Sequence, residues 1–478
     1  MVFSSNEFLF LYLPLSLILY FFIPWSWRNL ALFWVSLIFY GWEKPTNLLI
    51  MLSVITVSYI FGALIGKAQN NAKARKLLLF AGVGINLATL GFFKYADFLL
   101  ENLSRVPLFS FIRPIGIALP IGISFYVFQS ISYIVDVYRG ACLYQISFVD
   151  FGAYVSMYPQ LIAGPIVRYS DIARELKKRK IALCDCADGA KRFVAGLAKK
   201  VLLADVAGST WEWIENIPRE QTSVLLLWLG IVFYSFQIYF DFSGYSDMAI
   251  GLGKILGFRF PENFDYPYIS KSITEFWHRW HITLSSYFRE YVYIPLGGNR
   301  KGTLRLVLNL FAVWLLTGLW HGADWNFVLW GTYYFALLVI EKLFLRKWLN
   351  RLPSIISHLY TLVLVVIGWA IFYFKQTNGG FHDMRSYLSG MFGMGGLPLI
   401  NGEFVYTLFR NLIFVILLCL AATPLPKRLF SKIERKMKYK NKITVFDVGF
   451  NALIVLVFAL CIVYISSSDY RPNIYFEF

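Results

Sequence analysis

The chain has 478 residues, of which 58% are hydrophobic, 19% aromatic and only 15% charged. That balance excludes a soluble domain, whose surface needs more polar side chains to face water. The formal charge of +17 does not indicate nucleic acid, because Lys and Arg sit in short segments between apolar runs, as positive-inside topology arranges them.

Those apolar runs recur along the whole chain near the length that crosses a hydrocarbon core of about 30 Å. They predict helices, since a backbone in lipid must satisfy its own hydrogen bonds. The expectation is an all-α polytopic membrane protein with about eleven or twelve transmembrane or re-entrant helices, in a single domain over residues 1–478. The first run, Phe8 to Ile23, follows an N-terminus without Lys or Arg and precedes no small-residue cleavage site. It predicts a retained span and not a signal peptide. Basic clusters at Lys67 to Lys76, Arg174 to Lys200, Lys342 to Arg351 and Lys427 to Lys442 lie an even number of spans apart. All four are therefore expected on the cytoplasmic face, with both termini outside. Five cysteines, Cys142, Cys184, Cys186, Cys419 and Cys461, form no paired framework, and Cys184 with Cys186 is only a weak metal or redox signal.

Proline and glycine gather at Pro114-Ile115-Gly116, Pro120-Ile121-Gly122, Gly164-Pro165, Gly244, Gly251 and Gly253. Two readings stay open there, broken helices lining a cavity and close helix packing through small residues. Gln237, Asp241, Ser243, Tyr245 and Asp247 put two carboxylates, two hydroxyls and an amide into one apolar neighbourhood. They predict an internal polar site, with a structural hydrogen-bond network as the equal alternative.

Pro261 to Arg300 is aromatic, polar and basic at once, which predicts a cytoplasmic interfacial or re-entrant segment. Its cations Lys271, Arg279, Arg289 and Arg300 suit anionic lipid headgroups, or the phosphates of an acyl-CoA or of a carrier protein's phosphopantetheine. The spacing of His278 and His281 places both on neighbouring parts of one helical face. The Cys and Asp partners of a closed zinc site are missing nearby, so no metal is expected.

Leu315 to Trp325 contains Gly318-Leu319-Trp320-His321-Gly322, set between two apolar runs each just long enough to cross. A histidine at such a break is costly in lipid unless it faces a cavity or the protein interior. Its near-neutral titration suits it to accept the proton of an attacking hydroxyl and return it to a leaving thiolate. A helix-capping or interfacial histidine is the plain alternative. Further on, 375–402 predicts an external loop and 468–478 an external aromatic tail. No GxSxG elbow, P-loop or HExxH competes with this picture.

Seven blocks carry a resemblance: Met1-Val2-Phe3-Ser4-Ser5, Leu119 to Phe125, Ile162 to Tyr169, Asp241 to Asp247, Pro261-Glu262-Asn263-Phe264, Trp280 to Ser285, and Gly318 to Gly322. Over nearly its full length the chain resembles the membrane-bound O-acyltransferase family, in the branch of membrane subunits of bacterial alginate O-acetylation. The resemblance implies helices around a central funnel or tunnel, with His321 as the essential histidine and His281 as a second. It implies no bound cofactor, a cytosolic thioester donor (acetyl-CoA or an acyl-carrier protein) and a polysaccharide acceptor. A separate extracytoplasmic acetyltransferase would complete transfer, and the chain would reside among membrane lipid as a multi-pass protein of the bacterial cytoplasmic (inner) membrane. The ending Arg471 to Phe478 resembles the aromatic terminal motif of related cell-wall acylation systems, which implies Tyr475 as an acyl acceptor or relay; an interfacial anchor is its rival reading. Alternative functions are O-acetylation of peptidoglycan or another wall polymer, teichoic acid D-alanylation, and a non-enzymatic solute transporter or flippase.

Overall fold

The computed structural model of the protein describes residues 1–375, 379–439 and 443–467. It is 77% helical, with no strand among the described residues. Eight of the described helices are long and apolar enough to cross a membrane, and Glu7–Phe22 is a shorter apolar stretch. The chain is thus an all-α, multi-pass membrane protein, with eight candidate spans among the described residues where about eleven or twelve transmembrane or re-entrant helices are expected from the sequence.

Met1–Leu197 and Tyr245–Pro261 make one compact unit. In it α1 (Asn47–Lys67) packs against α2 (Ala72–Ser104) and α3 (Ile123–Arg139). The chain before α3 is irregular, and Gly122 turns it with φ +72 at a point where a Cβ would meet the Leu161 carbonyl oxygen at 2.7 Å. Only glycine tolerates both conditions. Gly164-Pro165 is likewise irregular, whereas Gly244, Gly251 and Gly253 lie inside one unbroken helix, α4 (Val224–Ile255). At Gly251 a Cβ would come within 2.5 Å of the Gly189 carbonyl oxygen, so this glycine serves close packing. Close packing therefore holds at Gly251, while Gly122 and Gly164-Pro165 lie where the helices are interrupted.

Ala198–Gly244 and the described residues from Glu262 onward make the second unit. Two short helices, α5 (Ile273–Arg279) and α6 (Ile282–Phe288), precede a tight hairpin of α7 (Gly302–His321) and α8 (Trp325–Ile340). The hairpin closes on glycine: a Cβ at Gly331 would lie 2.4 Å from the Trp314 carbonyl oxygen, and one at Gly318 would lie 2.3 Å from that of Phe327. Asp324 caps α8 through its side chain, and Asn326 donates to the Phe372 carbonyl at 2.9 Å, fastening α8 to the end of α9 (Ser354–Tyr373). Buried Glu341, in the π-turn after α8, accepts from Ile273 N at 2.6 Å and from Thr274 N at 2.9 Å. A carboxylate at the start of α5 satisfies amides that the helix leaves unpaired and complements its dipole.

The stretch predicted as a loop over 375–402 holds a helix, α10 (Gly380–Met391), whose Met384 and Met391 are buried. Two spans follow, α11 (Gly402–Ala421) and α13 (Ile443–Ser467), joined by the basic helix α12 (Leu425–Tyr439).

Lys200 is buried in this unit between two carboxylates, with its Nζ 2.6 Å from Asp205 Oδ1 and 2.9 Å from Asp241 Oδ1. Burial pushes the Asp205 carboxyl up to about 7 against the pull of Lys200. Replacing the ammonium by a methionine leaves two buried carboxylates without compensation, and Lys200→Met is expected to destabilise the protein by about 3–5 kcal/mol. A thermal melt in detergent checks this, the double change Lys200→Met, Asp241→Leu recovering part of the loss.

Candidate functional site

The segment between α5 and α6 carries the first candidate imidazole. The helix stops at Arg279, Trp280 is extended, and His281 takes the left-handed conformation, φ 44 and ψ 55. The expected continuous face with His278 and His281 side by side is therefore not formed: the chain breaks between them, and His278 is exposed while His281 is 1% exposed. A non-glycine residue in this conformation costs on the order of 1–3 kcal/mol and persists only where its surroundings fix it.

Asn263 does the fixing. Its side-chain Oδ1 lies 3.0 Å from His281 Nδ1, accepts from Thr283 Oγ1 at 2.9 Å and from Thr283 N at 3.4 Å, and its carbonyl accepts from Ile282 N at 3.0 Å. The Thr283 amide can only donate, so the group facing it is the amide oxygen. His281 Nδ1 accordingly carries the hydrogen, and its proton-accepting lone pair lies on Nε2. Nε2 is buried and has no hydrogen-bond partner among the described residues. Burial pushes the imidazole down to about 3, so at neutral pH the ring is uncharged and Nε2 keeps a lone pair that can accept a hydrogen bond.

His281 forms part of the wall of a cavity of about 1280 Å³. Lys271, Arg289 and Arg300 line it, and Lys301, Lys342 and Arg346 add three more cations. Only Glu275 and Glu341 oppose them, and Glu341 is already committed to the start of α5. Two π-turns, Arg289–Tyr293 and Glu341–Leu345, contribute to this wall, a helix irregularity common at functional sites. Arg279 stands apart from its predicted companions. It is engaged with Asp265 Oδ2 at 2.7 Å and Glu275 Oε1 at 3.0 Å, and does not line the cavity.

His321 ends α7, one turn beyond Thr317, which lines the cavity; His321 does not. Its ring is 4% exposed and meets the edges or faces of Trp320, Trp330 and Phe372 at centroid distances of 4.9, 5.0 and 5.2 Å. Gly322 continues the chain in extended form, and a Cβ there would strike the Phe327 ring at 2.1 Å. Trp320 links the two histidines, since its ring also lies 5.7 Å from that of His281.

The five polar candidates on α4 fall on two stripes of the helix, Gln237, Asp241 and Tyr245 on one and Ser243 and Asp247 on the other. Asp241 pairs with Lys200, Gln237 and Ser243 are buried in the second unit, and Tyr245 and Asp247 belong to the first. There Tyr245 stacks on Phe3 at 4.6 Å, and Asp247 binds Arg192 at 2.9 Å. Tyr475, with all of 468–478, lies outside the described residues. No group of three or more metal-ligating side chains occurs among the described residues.

Sequence reasoning missed Lys200 and Asn263. Lys200 was counted with a basic segment facing the cytoplasm, while Asn263 acts on a residue 18 positions away, a contact that no local pattern announces.

Residues 141–374 match the membrane-bound O-acyltransferase family. Over the full length of both proteins the chain is 40% identical to a "Probable alginate O-acetylase AlgI" of Pseudomonas putida. It is 45% identical to the protein of that name in Pseudomonas aeruginosa, over 78% of this chain and 72% of the other. It is also similar to a peptidoglycan O-acetyltransferase of Helicobacter pylori, at 34% identity over 84% of this chain and 81% of that one.

Proposed function

Because the chain belongs to the membrane-bound O-acyltransferase family, we propose that it moves an acetyl group from cytosolic acetyl-CoA toward hydroxyls of an alginate-like exopolysaccharide outside the cytoplasm. It is a multi-pass membrane acyltransferase; the donor, the acceptor and the residue roles are the proposal. The observation that carries it is an uncharged imidazole, His281, whose buried Nε2 has no hydrogen-bond partner among the described residues, in the wall of a large cavity rich in cations.

Lys271, Arg289 and Arg300 take the donor's phosphates, for which guanidinium and ammonium groups are the fitting partners. His321 is the general base. It accepts the proton as the attacking hydroxyl oxygen bonds to the thioester carbonyl carbon, and it returns that proton to the thiolate when the carbon–sulfur bond breaks. His281 assists through Nε2. The thioester reaches His321 by displacing one ring of the aromatic enclosure around it. The phenol of Tyr475 serves as first acceptor, forming an aryl ester that a separate extracytoplasmic acetyltransferase passes to the sugar. The segment 261–300 lies on the cytoplasmic side of one membrane domain, in a bacterial inner membrane.

The test is reconstitution in vesicles with acetyl-labelled acetyl-CoA outside and alginate with the partner inside. Label on the internal polysaccharide together with release of free coenzyme thiol is expected. Transport of an unaltered solute without thioester consumption would instead mark a transporter, and label passing to peptidoglycan but not alginate would change the acceptor. Tyr475→Phe is expected to remove label from the terminal peptide and abolish transfer to the partner. Unchanged polysaccharide labelling in that variant takes Tyr475 out of the route.

A further inference from the structure

We infer that α12 is an anionic-lipid docking element, lying in the membrane surface and holding acidic phospholipid headgroups against the last two spans. Its 15 residues carry six cations and one carboxylate. Leu425, Leu429 and Ile433 recur every four residues, so they form one stripe along the helix. All three are exposed, at 55%, 61% and 44%. Lys427, Arg428, Lys432, Arg435 and Lys436 are exposed as well, and none of the five meets a carboxylate among the described residues. An exposed apolar stripe beside unpaired cations is the pattern of a helix lying at the boundary between acyl chains and headgroups.

Phe430 packs against Phe450 and Phe446 of α13 at 4.4 and 4.9 Å, while α12 joins two membrane spans directly in sequence. Its free faces therefore stand where headgroups are. Charge complementarity selects the occupant, because phosphatidylcholine offers no net charge to five cations and phosphatidylglycerol offers one each. A juxtamembrane Lys or Arg raises binding to an anionic surface about fivefold, an attraction that salt screens within a Debye length.

The full-length protein is reconstituted in nanodiscs of equal phosphatidylglycerol and phosphatidylcholine, and the lipids it retains on transfer to mild detergent are counted by native mass spectrometry. We expect phosphatidylglycerol enriched several-fold over phosphatidylcholine, and less so at about 0.5 M salt, where screening shortens the reach of the attraction to a few ångströms. The variant Lys427→Gln, Arg428→Gln, Lys432→Gln, Arg435→Gln, Lys436→Gln is expected to lose that enrichment, and the charge-keeping Lys427→Arg, Lys432→Arg, Lys436→Arg to retain it. Neutralising Lys73 and Lys76, exposed on α2, is the control for total charge and is expected to leave enrichment intact. Enrichment that survives the fivefold neutralisation, or that falls equally in the α2 control, overturns the inference. So does an absence of enrichment in the wild type, the result expected if these cations serve an acidic protein instead.

Discussion

Acyl transfer is expected to fall by about 10²–10⁴-fold in His321→Ala, the range that a lost general acid–base supplies. The imidazole is 4% exposed and packed among Trp320, Trp330 and Phe372, so alanine also leaves a void. His321→Gln is the companion that keeps most of the volume without the basicity. If the role is chemical, both variants lose thiol release from acetyl-CoA while reaching the membrane in normal amount, and the glutamine variant melts close to wild type. If the role is packing, activity follows stability and the glutamine variant stays active. Near-normal thiol release from a well-folded glutamine variant would remove His321 from the mechanism.

The membrane class was legible from composition alone, because 15% charged residues cannot clothe a water-facing surface of this size. The helical hairpin that presents His321 was legible as two apolar runs around Gly318 to Gly322. Its closeness was not, since it depends on backbone approaches such as Gly331 against Trp314. Periodicity misled at His278 and His281, where a regular helix was assumed and the chain instead makes a left-handed turn. A turn of that kind is stabilised by a residue distant in sequence, so helical spacing holds no trace of it. The polar residues of α4 illustrate the opposite failing. Their nearness in sequence was real, but four-residue spacing sets Gln237, Asp241 and Tyr245 on one stripe and Ser243 and Asp247 on another, and Asp241 and Asp247 end in separate ion pairs. Basic clusters read only as topology also concealed two kinds of lysine, the buried Lys200 and the cavity-lining Lys342.

The clamp on His281 leads to the second large effect. Asn263→Ala takes away the acceptor that keeps hydrogen on Nδ1 and releases the turn that aims Nε2. A misplacement of about 1 Å can cost 10²-fold, and a loss of that order in kcat is expected with little change in KM for the thioester. Asn263→Asp has a different signature. A carboxylate at 3.0 Å from Nδ1 favours the imidazolium and raises the pKa of His281 from about 3 toward neutrality. Protonation consumes the lone pair on Nε2, so activity of this variant is expected to fall with decreasing pH at values where the wild type still holds its rate. The same linkage acts on stability. In the wild type the unfolded histidine binds a proton below about 6.5 that the folded one refuses until about 3, so His281 makes stability fall as pH drops through that window. The aspartate narrows the window from below and should weaken this dependence. His281→Ala separates the two possible failures. If it keeps full activity, His281 has no part in the reaction; if it is inactive while Asn263→Asp shows the wild-type pH profile, the histidine matters and Asn263 does not set its protonation.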